Sequence, residues 1–249
     1  LDANVRGVLG NIKFDAAPDR QLLDRGRAWR AGQPRAVVMF ASSREGEEAL
    51  LLEHLKENRV LAHVERAEAA INNVANAVQW LIVPRHPQRF DEVATLITRH
   101  GFAVSRRSAW PDHPPETALA PAATDTPTVW LGDSLGEMPL YYGLSDVVLL
   151  GGSFEPLGGQ NLIEAAACGC PVIMGPHTFN FLQAAELARA SGAAQRVHDI
   201  GEAVTAACRL ALDDAALKRG RQVTLTFAAA HRGALERTVD AICELLGQQ

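Results

Sequence analysis

A glycine-rich turn that leads into a run of small residues, at positions 151–181, carries the side chains most suited to chemistry in this sequence. Glycine lets a backbone approach a ligand closely, and the start of a helix presents unpaired N–H groups to an anion. Asn161 and Glu164 are three residues apart, so on a helix they share one face. A carboxylate at that place can accept hydrogen bonds from two hydroxyls, as a ribose would offer. The stretch predicts a nucleotide-binding loop, with these candidate residues: Ser153, Gly158, Gly159, Gln160, Asn161 and Glu164.

Two common phosphate-binding motifs are absent from the sequence. Neither GxGxxG nor GxxxxGK[ST] occurs, so a dinucleotide fingerprint and a P-loop ATPase are both unsupported. A tight turn packed against a sheet would explain the alanines at 165–167, but it does not explain Glu164 among apolar neighbours. We therefore favour a ligand-binding role for Glu164, and also for Asn161.

Apolar runs of strand length alternate with helical patterns along the chain. Strands are predicted at 36–42, 80–84, 102–107, 128–132, 146–152, 171–175 and, less distinctly, 193–197. Helices are predicted at 45–71, 87–99, 135–142, 181–190, 201–212 and 217–246, with a loop over 108–127. Strands that are apolar throughout and alternate with helices indicate a doubly wound α/β fold with a mostly parallel sheet. Ligands bind at the carboxyl ends of such strands, and the loops expected there are 42–47, 84–87, 132–137, 151–161 and 175–180.

The loop after the second predicted strand contains an arginine held between two prolines. Arg85 follows Pro84, and Pro87 comes two residues later. Its guanidinium presents a fixed fork of donors that suits a phosphate, so we predict that Arg85 stabilises a phosphate. The neighbouring His86 is equally compatible with a structural role and a ligand-binding one.

Three other loops have both a structural and a ligand-binding interpretation. Ser42 and Ser43 end the first strand, although Ser42 with Glu45 also has capping-box spacing. Glu137 and Met138 lie in a loop where Ser134 and Glu137 have the same spacing. His177 and Asn180 fit either the mouth of a cleft or a helix cap. The nucleotide-binding candidates from the first two of these loops are Ser42, Ser43, Glu137 and Met138.

Composition excludes several classes of protein. The 249 residues carry a net charge of −5, so the chain lacks the basic footprint of a nucleic-acid-binding protein. No apolar stretch reaches the length of a membrane span. The four cysteines have no CxxC spacing and are expected to be buried and reduced. No carboxylate cluster resembles a magnesium site, so we expect neither a metal nor a cofactor.

Five motifs together resemble the 3-deoxy-D-manno-octulosonic acid (Kdo) transferases of lipopolysaccharide biosynthesis. The longest is the GGS…GPHTFNF run from Gly151 to Phe181, and the others are GNIKFD (10–15), SSREGEE (42–48), VPRHPQRF (83–90) and GDSLGEM (132–138). They occur in the order expected for that family and cover nearly the whole chain. The stretch at 58–79 looks longer than is usual in the family, which concerns local shape rather than the ligand loops.

The resemblance implies a GT-B glycosyltransferase, in which two Rossmann-like domains face a cleft. Residues 1–249 would be the carboxyl-terminal domain, which binds the donor CMP-Kdo, and the amino-terminal domain with the lipid A acceptor site and the catalytic base would be absent. The intact enzyme would transfer Kdo with inversion to a lipid A precursor at the cytoplasmic face of the bacterial inner membrane. This half would be soluble and inactive by itself, and Arg85 would stabilise the leaving phosphate.

Two alternatives stay open at this stage. One is half of a GT-B transferase or epimerase that uses a uridine nucleotide, since its GxxNxxE region would look similar. The other is a non-catalytic binding module that keeps the fold without turnover.

Overall fold

The structure, a computed structural model, describes residues 9–15, 17–64, 75, 77–116 and 126–247. Its strands are β1 (Val37–Ser43), β2 (Gln79–Pro84), β3 (Ala103–Arg106), β4 (Thr128–Leu131), β5 (Val147–Leu150), β6 (Val172–Met174) and β7 (Ala194–Arg196). They form one parallel sheet in the order β3-β4-β2-β1-β5-β6-β7. The strands β2 to β4 lie on one side of β1, and β5 to β7 lie on the other, so the strand order reverses between β1 and β5. The doubly wound α/β prediction is therefore confirmed.

The helices are α1 (Arg20–Ala31), α2 (Glu47–Val64), α3 (Phe90–Arg99), α4 (Met138–Leu144), α5 (Leu162–Ala167), α6 (Leu182–Ser191), α7 (Ile200–Leu212), α8 (Asp214–Ala230) and α9 (Ala234–Gly247). Most of the predicted helices are present with boundaries shifted by a few residues. Part of the predicted helix at 45–71, and half of the stretch at 58–79 that looks long for the family, lie outside the described residues.

Alternating side chains of the strands build a core on each face of the sheet. In β1, Val37 and Met39 pack with α1, α4, α5 and α6, whereas Val38 and Phe40 pack with α2, α3 and α7. All four of these side chains are completely buried. Burial on both faces is why the strands are apolar throughout rather than alternating.

Helix α1 was not predicted from the sequence, because it presents little apolar surface. Its buried residues are Leu23 and Gly26, and Asp19 caps its first turn by accepting from two backbone N–H groups. A Cβ on Gly26 would lie 2.1 Å from the carbonyl oxygen of Leu140. The helix therefore rests on α4 through a close backbone contact, which hydrophobic periodicity does not reveal.

The single helix predicted at 217–246 is wrong, since the chain turns between α8 and α9. The two carboxylate oxygens of Asp15 accept hydrogen bonds from the N–H groups of Gly233 (2.5 Å) and Leu235 (2.6 Å) at the start of α9. Phe14 stacks on His231 with 4.9 Å between the ring centroids. The GNIKFD segment thus supplies the acceptor that caps the first turn of α9, from the other end of the sequence.

The cysteine prediction is only partly correct. Cys168, Cys170 and Cys208 are buried and free, but Cys243 on α9 is exposed. Burial raises the pKa of the Cys168 thiol to about 12, so it is an unreactive thiol at neutral pH.

Candidate functional site

The five loops singled out in the sequence follow five adjacent strands. The strands are β4, β2, β1, β5 and β6, which are consecutive in the sheet. Because all of them are parallel, their carboxyl ends lie along one edge. The prediction that these loops share an edge is therefore confirmed.

The turn after β5 is fixed by a buried carboxylate on α2. Glu47 is completely buried and accepts backbone N–H bonds from Arg44 (2.9 Å), Gly152 (2.7 Å) and Phe154 (3.0 Å). Burial raises the pKa of Glu47, against the opposing effect of these three donors. One side chain thus joins the loop after β1 to the glycine turn after β5. The expected capping box between Ser42 and Glu45 is replaced by this bond from Glu47 to the Arg44 N–H.

The two serines that end β1 have different environments. Ser43 is buried, and its hydroxyl donates to Glu48 Oε1 at 2.8 Å, so it points into the protein. Ser42 is half-buried with φ +53°, and among the described residues it is the one non-glycine residue with a positive φ. Such strained backbone is common beside ligand sites. Ser42 is therefore better placed than Ser43 to offer its side chain to a ligand.

Ser153 is a structural link between neighbouring strands. Its buried hydroxyl donates to the Leu150 carbonyl (2.5 Å) and accepts from the Gly175 N–H (2.8 Å). Its carbonyl accepts from the N–H of His177 at 3.0 Å. The hydroxyl of Ser153 therefore has its partners inside the protein, and its predicted contact with a nucleotide stays a prediction.

The glycine pair at 158–159 is held against the loop after β6. Gly158 has φ +89°, and a Cβ there would lie 2.3 Å from Asn180 Nδ2. The N–H of Asn180 donates to the Gly158 carbonyl (2.9 Å), and its side chain donates to the Leu157 carbonyl (3.0 Å). Asn180, for which the sequence allowed two roles, thus holds the glycine turn in place. Position 158 requires glycine, because its φ is positive and Asn180 leaves no room for a Cβ.

Asn161 and Glu164 form the pair that their spacing predicted. Asn161 caps α5 by accepting from the Ile163 N–H (3.1 Å), and its Nδ2 donates to Glu164 Oε1 at 2.9 Å. Glu164 is exposed, so its carboxylate retains acceptor capacity. Because α5 has only six residues and Asn161 already occupies one of its first N–H groups, the side chains here offer more to a ligand than the helix terminus does.

Arg85 reaches the same turn from the end of β2. It is exposed, its Nε donates to Gln160 Oε1 at 3.2 Å, and its N–H donates to the Ser43 carbonyl at 3.0 Å. Gln160 immediately precedes Asn161. A cation is therefore placed one residue away from the pair that was predicted to hold a ribose.

The surroundings of His86, the residue after Arg85, are positively charged. The pKa of His86 is lowered by burial and then by the positive charges of Arg44, Arg85 and Arg89, which favours the neutral imidazole. Arg89 is neutralised by Glu48 (2.8 Å) and Glu92 (2.9 Å). Sequence reasoning missed Arg44, although its position directly after β1, next to the sheet's reversal point, was a usable signal.

Two predicted site residues in the loop after β4 make contacts inside the protein. Glu137 is half-buried, and it accepts from Arg107 Nη2 (2.8 Å) and from the Ser134 hydroxyl (2.5 Å). Met138 starts α4 and packs against the core. Neither placement tests the predicted nucleotide contacts of these two residues, which stay predictions.

The described ranges contain neither a metal-binding cluster nor a candidate membrane span. No group of three or more His, Cys, Asp and Glu side chains there is arranged to hold a metal ion. In the same ranges, no helix combines the length and the apolar character that a membrane crossing needs.

Comparison with known proteins gives relatives in sequence and in structure. The chain is 43% identical to the 3-deoxy-D-manno-octulosonic acid transferase of Bordetella pertussis over 98% of its length, and it spans 53% of that relative. It superposes on the crystal structure of the C-terminal CMP-Kdo binding domain of WaaA from Acinetobacter baumannii with a TM-score of 0.60 and 26% identity, over 86% of this chain and all of that one. No protein-family model matches.

A more distant structural neighbour shares the fold alone. Anabaena HepE in complex with UDP-glucose superposes with a TM-score of 0.55 at 15% identity, over 96% of this chain and 56% of that one. At that identity, the nucleotide of the neighbour does not indicate which nucleotide this chain binds.

Proposed function

The chain is a homologue of the 3-deoxy-D-manno-octulosonic acid (Kdo) transferases, and from this we propose that it is a donor-binding glycosyltransferase domain that binds CMP-Kdo. The observation that carries the proposal is the convergence of Arg85, Gln160, Asn161 and Glu164 on the glycine turn at one edge of the sheet. Arg85 would bind the phosphate and Glu164 the ribose hydroxyls. The chain spans about half the length of the Bordetella relative, so the activity of a whole enzyme is part of the proposal.

The proposed reaction transfers Kdo to a lipid A precursor with inversion at the anomeric carbon. A base outside this site takes the proton from an acceptor hydroxyl, and the oxygen forms a bond to the anomeric carbon. The bond from that carbon to the phosphate oxygen of CMP breaks, which leaves negative charge on the phosphate. Arg85 stabilises that charge, a contribution that is usually large in catalysis. In this proposal the intact enzyme acts at the cytoplasmic face of the bacterial inner membrane, where it would meet its lipid A precursor.

Replacing the cation should weaken nucleotide binding. We expect Arg85→Gln to lower the affinity for CMP by about tenfold, because a charge-assisted hydrogen bond to phosphate is lost. Isothermal titration calorimetry with CMP and UMP measures this directly, and the wild-type chain should prefer CMP. Arg99→Gln is a matched control, since Arg99 is exposed at the end of α3, which lies toward the amino ends of the strands and away from the loops. A preference for UMP would instead favour the uridine-nucleotide alternative.

The ribose contact has a test of its own. We expect Glu164→Gln to weaken CMP binding by about tenfold while leaving 2′,3′-dideoxy-CMP unaffected, since that ligand lacks the hydroxyls that the carboxylate would accept from. Calorimetry with both ligands on both proteins forms a double-mutant cycle. Equal losses for the two ligands would remove Glu164 from the ribose site.

A further inference from the structure

Two arginines directly follow the carboxyl ends of two neighbouring strands. Arg44 directly follows β1, and Arg85 directly follows β2. Ser43 and Pro84 are paired across these strands, and the N–H of Arg85 donates to the Ser43 carbonyl at 3.0 Å. The backbones of the two arginines therefore start from adjacent positions on the ligand edge of the sheet.

Neither of these arginines has a carboxylate partner in the part of the chain that the structure describes. Its ion pairs within 4.0 Å do not include Arg44 or Arg85. By contrast, Arg89 pairs with Glu48 and Glu92, Arg106 with Asp91 and Asp133, and Arg107 with Glu137. Among the described residues, this edge thus keeps two positive charges without a carboxylate partner.

The position of Arg44 is tied to the same turn as Arg85. The N–H groups of Arg44 and Gly152 share Glu47 Oε2, at 2.9 and 2.7 Å, while Arg85 reaches Gln160 beyond that turn. The charges of both arginines act on His86, which lies next to Arg85 in the chain. Two arginines therefore lie beside the glycine turn after β5, and the backbone N–H of each is held by a hydrogen bond.

Two adjacent cations suit a ligand that carries two separate negative groups. The phosphate diester of a CMP-sugar has one negative charge, and a neutral sugar adds none. A sugar acid adds a carboxylate, which an arginine can bind through two parallel hydrogen bonds. In the proposed function Arg85, hydrogen-bonded to Gln160 beside Asn161, binds the phosphate, which leaves Arg44 available for the carboxylate.

We infer that Arg44 binds the sugar carboxylate of the donor and selects nucleotide sugars whose sugar is an acid. The inference rests on the proposed function of this site and assigns to Arg44 a role that differs from that of Arg85. If both arginines instead clamped the phosphate, loss of Arg44 would weaken every CMP ester to the same extent.

The test compares two ligands that differ in the carboxylate. CMP-Kdo has the phosphate diester and the acid, whereas the methyl ester of CMP has the diester alone. By calorimetry we expect Arg44→Gln to lower the affinity for CMP-Kdo by at least about tenfold and to change that for the methyl ester by less than about twofold. Arg44→Lys should fall between wild type and Arg44→Gln, because it keeps the charge and loses the planar fork.

The controls separate this inference from the function on which it rests. Arg85→Gln should weaken both ligands, and Arg99→Gln neither. An equal loss for both ligands in Arg44→Gln would overturn the carboxylate assignment and leave the CMP site in place. If the wild-type chain bound neither ligand, the proposed function and this inference would both fail. Thermal melting of each variant would show whether a loss of affinity reflects unfolding.

Discussion

Replacing Glu47 by glutamine should cost both stability and nucleotide binding. The two carboxylate oxygens of Glu47 accept three backbone N–H groups, from Arg44, Gly152 and Phe154. A glutamine has one acceptor oxygen, and its NH₂ group would face a donor in a completely buried place. We expect the free energy of unfolding to fall by about 2 kcal/mol, since buried donors are left without partners.

Binding should suffer as well, because Glu47 holds together two loops of the proposed site. We expect Glu47→Gln to lower the affinity for CMP by about tenfold in the folded protein. Urea unfolding gives the stability, and calorimetry well below the transition gives the affinity. Glu57→Gln, on the same helix but exposed, is the matched control and should be near wild type in both. Unchanged affinity in Glu47→Gln would show that the carboxylate does not position the turn for a nucleotide.

Replacing Asp146 by asparagine should affect stability alone. Asp146 has an exposed side-chain fraction of 3%, and it accepts from Arg30 Nε (2.5 Å), Arg221 Nη2 (2.5 Å) and the Val37 N–H (2.9 Å). It therefore joins α1, α8 and β1 just before β5. Removing one partner of a buried ionic group is strongly destabilising, and we expect a loss of about 3 kcal/mol, since both arginines retain some access to water.

The location of Asp146 supplies the second half of that test. It precedes β5 at the amino end of the sheet, whereas the proposed site lies at the carboxyl ends. We expect the affinity for CMP to stay within about twofold of wild type under folding conditions. The control is Asp24→Asn, whose side chain is 71% exposed and pairs with Arg27 at 3.4 Å, and it should change stability by less than about 1 kcal/mol. A similar loss in both variants would contradict the role assigned to burial.

The architecture was predictable because its signals are local. Buried parallel strands are apolar along their whole length, so β1, β2 and β5 stand out in the sequence. Parallel pairing then brings the loops that follow them to one edge, whatever their separation along the chain. The contact between Asn161 and Glu164 was equally predictable from the sequence, because a spacing of three residues on a helix brings two side chains together on one face.

The helices that were missed depend on distant contacts. The buried positions of helix α1 are Leu23 and a glycine, which gives only a weak apolar period. The break between α8 and α9 has its cap in Asp15, more than two hundred residues earlier. Neither signal exists within a window of neighbouring residues.

The sequence by itself determined the succession of strands along the chain, the loops that end on the ligand edge and the residue types that those loops carry. Tertiary structure decided which of those groups have partners within the protein: Ser43, Ser153 and Glu137 do, while Arg44 and Arg85 keep their charges unpaired among the described residues and Glu164 is exposed. The physical reason is that a polar group forms a hydrogen bond with a complementary donor or acceptor that lies at about 3 Å. For most of these groups, that partner comes from another loop or strand.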